Sequence, residues 1–177
     1  MGRAESRPEE GRGPGPLSRA GVAPDRFERL LAGAAIVLLG FVAAALARGV
    51  GQWGTVPPII WLHLVTIIVA LALTPVLLLR PRGDRRHRTL GTIWVVAMIA
   101  TAVLSLFIRN RSPTGFSVIH ILSAVTLLAV PRAWWTARRH QVRQHRTSIR
   151  AIVTGALLIA GFFTFPFDRL LGRWLFG

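Results

Sequence analysis

The sequence predicts an all-α fold in which five transmembrane helices form an integral membrane helical bundle. Three observations predict this class: a high share of apolar residues, their concentration in long uncharged runs, and arginines that lie between those runs. Of the 177 residues, 52% are hydrophobic. Each apolar run approaches the roughly 17–25 residues that cross a bilayer as a helix. The predicted spans are residues 30–47, 57–79, 89–108, 115–135 and 149–167.

The first 28 residues differ from the rest of the chain. Residues 1–28 are rich in Gly, Pro, Arg and Glu, so they cannot bury enough apolar surface to offset the entropy of ordering. We predict a disordered cytoplasmic tail there and a transmembrane domain over residues 29–177. Alternatively, the first apolar run is a cleaved secretory signal, because Ala45-Leu46-Ala47 has the small-x-small form of a cleavage site. Five acidic residues before the run favour an uncleaved span.

The arginines predict the orientation in the membrane. The formal net charge is +15 without any lysine, and seventeen of the 22 arginines lie in the tail and in the loops after the second and fourth spans. By the positive-inside rule these segments face the cytoplasm, which puts the amino terminus inside and the carboxyl terminus outside a bacterial plasma membrane. Topology and attraction to the lipid bilayer account for the charge, and nucleic acid is not an expected partner.

Several kinds of chemistry are excluded or disfavoured. Cysteine is absent, which excludes disulfides, zinc–thiolate sites and iron–sulfur clusters built from this chain. After Phe27 the carboxylates are Glu28, Asp84 and Asp168, and none is expected well inside a span. Paired-carboxylate catalysis is therefore disfavoured, and no glycine motif for phosphates or dinucleotides is present. We expect a protein that does not act as an enzyme on its own.

A histidine pattern occurs twice. His63 lies near the start of the second span and His87 follows 24 positions later, while His120 and His145 repeat the plan with 25 positions. In both repeats the second histidine begins the tripeptide His-Arg-Thr. Two hairpins that run the same way would place His63 and His120 at one height in the bilayer and His87 and His145 at another. The sequence therefore predicts two histidine pairs, one near each face.

These pairs predict haem b as a cofactor. Neutral imidazole is a good axial ligand for haem iron, and helices of a bundle can converge on a flat macrocycle. His63 with His120 would ligate one haem iron near the outer face, and His87 with His145 another near the inner face. Arginines are suitable partners for haem propionates. The candidates are Arg109 and Arg111 outside, and Arg85, Arg88, Arg146 or Arg150 inside.

The histidines also have a structural interpretation. A histidine in a membrane helix can simply hydrogen-bond a neighbouring helix. Thr89 and Thr147 are predicted N-caps, so His87 and His145 would precede their helices, which favours solvated loop residues at these positions. His140 has no counterpart in the other hairpin and is interpreted as a loop residue.

Two further residues give expectations about helix ends and packing. Pro131 is expected to mark the end of the fourth helix, because proline lacks the amide hydrogen that a helix interior requires. Most tryptophans lie near predicted span ends, where their amphipathic rings favour the interface. Trp94, about a turn inside the third span, does not fit that rule.

Over residues 59–169, the pattern of His63, His87-Arg88, His120 and His145-Arg146 around four hydrophobic spans resembles a family of predicted bacterial membrane proteins, domain of unknown function twenty-three-oh-six. This resemblance implies a four-helix core, here preceded by an extra span, and it implies no particular activity. The pattern is more distantly similar to the di-haem cytochrome b superfamily. That similarity implies that His63 pairs with His120 and His87 with His145 around two haems.

The leading functional hypothesis is a small haem-binding electron carrier of the b-type cytochrome kind, which would exchange electrons with a quinol or a redox partner protein. The first alternative is a non-catalytic membrane subunit or scaffold, in which the histidines only join helices. The second is a small-solute transporter, suggested by the repeated hairpins. A homo-oligomer or a partner subunit is expected, because so small a bundle offers little soluble surface for recognition.

Overall fold

The computed structural model describes residues 23–108, 118–166 and 168–177, and these form helices joined by short turns. The long helices are α1 (Arg26–Arg48), α2 (Pro58–Leu79), α3 (Arg85–Phe107) and α4 (Val118–Arg138). A 3-10 helix, Val50–Thr55, joins α1 to α2. Helix α5 begins as Val142–Ile152, continues through a π-helical segment, Val153–Ile159, and finishes as Ala160–Phe162. The short α6, Leu170–Phe176, follows.

Successive long helices run in opposite directions and pack in chain order. Each of α1 to α4 contacts the helix that follows it, and α1 also packs against the π-helical segment of α5, which closes the bundle. One end, here called the arginine-rich end, holds the start of α1, the α2–α3 loop and the α4–α5 loop. The other, the tryptophan-rich end, holds Trp53, Trp61 and Trp174, whose rings lie close together, and α6 packs on α1 there.

Within the described residues, three helices are long and apolar enough to cross a membrane: α1, α2 and α3. Their outward faces carry large exposed apolar side chains such as Leu30, Phe41 and Val96. Such faces suit contact with lipid, which is as apolar as the side chains themselves. The fold is therefore all-helical with several apolar spans, as the sequence predicts.

The helix starts differ from the predicted caps. Helix α3 begins four residues before Thr89, because the Asp84 carboxylate accepts the backbone N–H of His87 and caps the helix. Helix α5 begins at Val142, so Thr147 is not a cap either. Both predicted caps were wrong for the same reason: the helices extend into the arginine-rich loops. His87 and His145 therefore do not precede their helices as predicted, but lie in the first turn of α3 and α5 at the arginine-rich end.

Pro131 and Trp94 also differ from a simple reading of the sequence. Helix α4 passes through Pro131 and ends only at Arg138, so the prediction that this proline marks the helix end was wrong. Trp94 is 3% exposed, and its indole N–H donates to the hydroxyl of Thr74 on α2 at 3.0 Å. A tryptophan can be buried in a bundle when its N–H finds such a partner, which explains why Trp94 does not lie at an interface.

Candidate functional site

A pocket of about 430 Å³ opens at the arginine-rich end of the bundle. Its apolar lining includes side chains from three helices, α2, α3 and α5: Leu77, Leu78, Trp94, Val95, Ile149 and Val153. Its polar lining includes three histidines and four arginines: His87, His140, His145, Arg82, Arg88, Arg138 and Arg146. An apolar interior with cationic groups around it suits a ligand that has an apolar body and a negatively charged edge.

His145 is held in a defined orientation. Its Nδ1 lies 2.8 Å from the backbone carbonyl oxygen of Ala133 on α4. A carbonyl can only accept, so Nδ1 carries the proton and Nε2 keeps its lone pair. Burial, reinforced by the charge of Arg82, lowers the pKa of His145 below its ordinary value, although the bond to Ala133 acts in the opposite direction. The lowered pKa keeps the imidazole neutral at neutral pH, and the hydrogen bond to Ala133 fixes its orientation. A neutral, oriented imidazole is the form that binds a metal.

His87 lines the same pocket from the first turn of α3. It interacts electrostatically with His145. Its Nδ1 atom is buried without a hydrogen-bond partner in the described part of the chain. An unpartnered buried polar atom costs free energy, so His87 is a position that a bound ligand or a reoriented ring would stabilise.

Glu28 of α1 forms part of the pocket wall and is 1% exposed. Arg146 donates to both of its carboxylate oxygens, at 2.7 and 2.9 Å. Arg82 and Arg150 donate to the same carboxylate, and Arg150 also pairs with Asp25. Three guanidinium groups, one from the α2–α3 loop and two from the start of α5, therefore converge on one carboxylate, and this joins α1 to the α2–α3 and α4–α5 hairpins.

The remaining arginines of the pocket have no carboxylate partner in the part of the chain that the structure describes. Arg88 is exposed at the pocket rim. The Arg138 guanidinium stacks over the Trp134 ring, with 4.2 Å from its central carbon to the ring centroid. Stacking of this kind fixes a guanidinium while leaving its in-plane N–H groups available for an anion.

The predicted site residues His63 and His120 do not line this pocket. His63 lies toward the opposite end of α2, and its Nδ1 is 3.2 Å from the backbone carbonyl oxygen of Thr101 on α3. Thr101 also donates from its hydroxyl to Thr66. His120 is half-buried on α4. Arg109 and Arg111 lie outside the described residues.

Sequence reasoning missed two parts of the site. It ranked Glu28 only among acidic residues that precede the first span, although Glu28 is the single carboxylate within that helix. It also did not select Arg138 with Trp134, a pair four positions apart and therefore on one helix face. A search for a lone carboxylate at the arginine-rich end, and for arginine–tryptophan pairs at helical spacing, would have found both.

The fold and the pocket define an all-helical membrane protein with a histidine- and arginine-lined cavity at one bundle end. The chain belongs to the family described as predicted membrane protein (DUF2306), whose model matches residues 60–167. The family resemblance of the sequence is thus confirmed, and the match includes α2 to α5 but neither α1 nor α6. A search of the curated proteins finds no match, and a search of the solved structures finds none either.

Proposed function

We propose that the pocket at the arginine-rich end binds haem b, that His87 and His145 would hold its iron, and that the protein is a membrane-bound electron carrier. The observation that carries this proposal is that two imidazoles from different helices line one pocket. One of them is oriented by a backbone carbonyl and the other has a buried nitrogen without a partner. A bound haem iron would supply one-electron redox chemistry.

The pocket residues fit this cofactor in polarity as well as in ligand type. Trp94, Val95 and Val153 offer apolar surface to a macrocycle. Arg88 and Arg138 carry N–H groups that suit two propionates. Among the inner arginines expected to pair with propionates, Arg85 does not line the pocket, and Arg146 and Arg150 already pair with Glu28. This leaves Arg88 as the better candidate and adds Arg138.

A haem between His63 and His120 stays a prediction. The contact between His63 and Thr101 favours a second candidate function at that end, in which His63 joins α2 to α3 and the protein is a non-catalytic membrane subunit. The same contact also leaves Nε2 of His63 without a proton, so ligation there is chemically possible. Spectra of His63→Ala and His120→Ala separate the two roles.

The proposal also includes the number of membrane spans and the orientation of the chain in the membrane. Helices α4 and α5 would cross the membrane with α1, α2 and α3, which makes five spans. The arginine-rich end would face the cytoplasm of a bacterial cell by the positive-inside rule, with the carboxyl terminus outside. Electrons would then be exchanged near the cytoplasmic face with a quinol, a redox partner protein or a partner subunit.

The test is the absorption spectrum of the detergent-purified protein before and after dithionite, after expression with added haem precursor. We expect the bands of a six-coordinate b-type haem, which His87→Ala and His145→Ala each abolish or convert to another ligation state. His140→Ala is the matched control, because His140 lines the same pocket but is exposed. Absence of haem from the wild type, or equal spectra for all variants, would refute the proposal.

A further inference from the structure

The face of α4 that points away from the bundle carries a second kind of arginine site. Arg132, Trp135 and Arg139 are exposed. Arg139 directly follows the last residue of α4, and its backbone N–H donates to the carbonyl oxygen of Trp135 at 3.0 Å. The spacing of three and four positions therefore places the three residues on one face. The Arg139 guanidinium stacks on the Trp135 ring at 4.9 Å from the centroid. Trp135 itself is 54% exposed, although its ring is large and mostly apolar.

The charge of this face is not neutralised within the described part of the chain. Arg82, Arg146 and Arg150 pair with the carboxylates of α1. Arg132 and Arg139 have no such ion pair among the described residues. Two guanidinium groups about two helical turns apart, with an indole between them, therefore present N–H donors that no carboxylate of the described residues occupies.

The same face continues into strongly apolar surface. Leu128 is 77% exposed, and Val125 and Ile121 one and two turns further from the arginine-rich end are 54% and 66% exposed. Along one helix face, aliphatic side chains thus give way to arginine, tryptophan and arginine over roughly 16 Å from Leu128 to Arg139, at 1.5 Å per residue. This order matches a phospholipid, which has acyl chains at one end and a phosphate at the other, and tryptophan favours the boundary between the two.

We propose that Arg132, Trp135 and Arg139 form a binding site for the headgroup phosphate of an anionic phospholipid, whose acyl chain lies along Val125 and Leu128. The site is separate from the pocket and does not depend on haem. Each guanidinium can donate two hydrogen bonds to phosphate oxygens. The stacked Trp135 ring holds Arg139 in place, so less side-chain freedom is lost when the lipid binds.

The test is the thermal stability of the full chain in a neutral detergent, titrated with phosphatidylglycerol or with phosphatidylcholine of the same acyl chains. We expect phosphatidylglycerol to raise the melting temperature of the wild type more than phosphatidylcholine does. Arg132→Gln/Arg139→Gln should weaken the apparent affinity for phosphatidylglycerol by roughly tenfold to thirtyfold. Trp135→Leu should weaken it less, because it removes only the stacking partner.

The matched control is Arg85→Gln/Arg86→Gln, which removes the same charge from exposed residues at the same end of the bundle but on α3. We expect this control to keep most of the specific effect. An equal loss in the control would mean that only net charge matters and would overturn the site. An equal effect of inorganic phosphate alone would overturn the lipid assignment, and equal effects of the two lipids would overturn the proposal as a whole.

Discussion

The two ends of the bundle are held together by different physical means. At the arginine-rich end, a buried carboxylate on α1 is bound by arginines from the α2–α3 loop and from the start of α5, next to a pocket that His87 and His145 line. At the tryptophan-rich end, α6 folds back on α1, and the Trp174 indole N–H donates to the Gln52 side chain at 3.1 Å. Charge dominates one end and aromatic packing the other.

This difference indicates where a ligand can bind. Closely packed aromatic side chains leave little space for a ligand, and side chains that pack against each other are rarely available to bind one. The arginine-rich end instead combines a cavity, two imidazoles of which one is oriented, and cations in excess of the carboxylates of α1. The capacity to bind a ligand is thus concentrated at the arginine-rich end, where Glu28 both contributes to stability and forms part of the pocket wall.

The largest expected effect is that of Glu28→Gln. This change leaves three guanidinium groups around a neutral side chain, and breaking a buried ion pair in this way costs about 3–5 kcal/mol. Asp168→Asn is the matched control, because the Asp168–Arg173 pair at the tryptophan-rich end is exposed and such pairs contribute about 0–1 kcal/mol. Chemical unfolding in detergent measures both. Equal effects of the two substitutions would show that the Glu28 cluster does not hold the arginine-rich end together.

Gly172→Ala tests the packing at the tryptophan-rich end. A Cβ at Gly172 would overlap the backbone carbonyl oxygen of Phe165, which cannot rotate away as a side chain could. We expect destabilisation of about 1–3 kcal/mol, the usual cost of overpacking. Gly51→Ala, where a Cβ would meet open space, should change the unfolding free energy by less than about 0.5 kcal/mol. Equal stability of the two variants would mean that α6 does not pack as closely as described.

The smallest expected effect is on pH dependence. Because the pKa of His145 is lowered in the folded protein, the unfolded chain takes up the proton first as the pH falls below about 6.5. The stability that the neutral imidazole contributes is complete above that pH and declines below it. The melting temperature should therefore drop between pH 7.5 and 5.5, and drop less in His145→Gln.

The effects of other charged groups on the melting temperature must be distinguished from the effect of His145. Arg82 and His87 act on it electrostatically from neighbouring elements, so their identities are kept unchanged. The pKa values of Asp25 and Asp84 are lowered by backbone N–H groups that they accept, and their contribution is lost only below about pH 4. His140→Gln is the control substitution, and a drop as shallow as that of His145→Gln would contradict the assignment.

Hydropathy predicted the helices well, and side-chain contacts were predicted less well. The apolar runs mark α1, α2 and α3 to within a few residues, because burial or lipid contact selects apolar residues whatever the partner helix is. The start of α3 was misplaced because Asp84, and not Thr89, caps the helix, and local sequence does not rank such competitors reliably. The start of α5 was also misplaced, and no side chain caps it. The burial of Trp94 depends on Thr74, which is distant in sequence.

The sequence identified several residues of the candidate site, but it did not predict how they are arranged. The repeat singled out His87 and His145, yet the interpretation ranked them below His63 and His120 because of the misplaced caps. The orientation of His145 by Ala133 and the role of Glu28 require knowledge of which helices meet at the arginine-rich end. Charge patterns show that arginines gather there but not which of them a carboxylate neutralises.

The most direct test of the central claim is the haem content per chain of two double variants, compared with the wild type by the pyridine haemochrome assay. If the pocket at the arginine-rich end binds haem b, then His87→Ala/His145→Ala loses the haem of that end, while His63→Ala/His120→Ala retains it. Retention of all haem in the first variant, or loss of all haem in the second alone, would contradict the account.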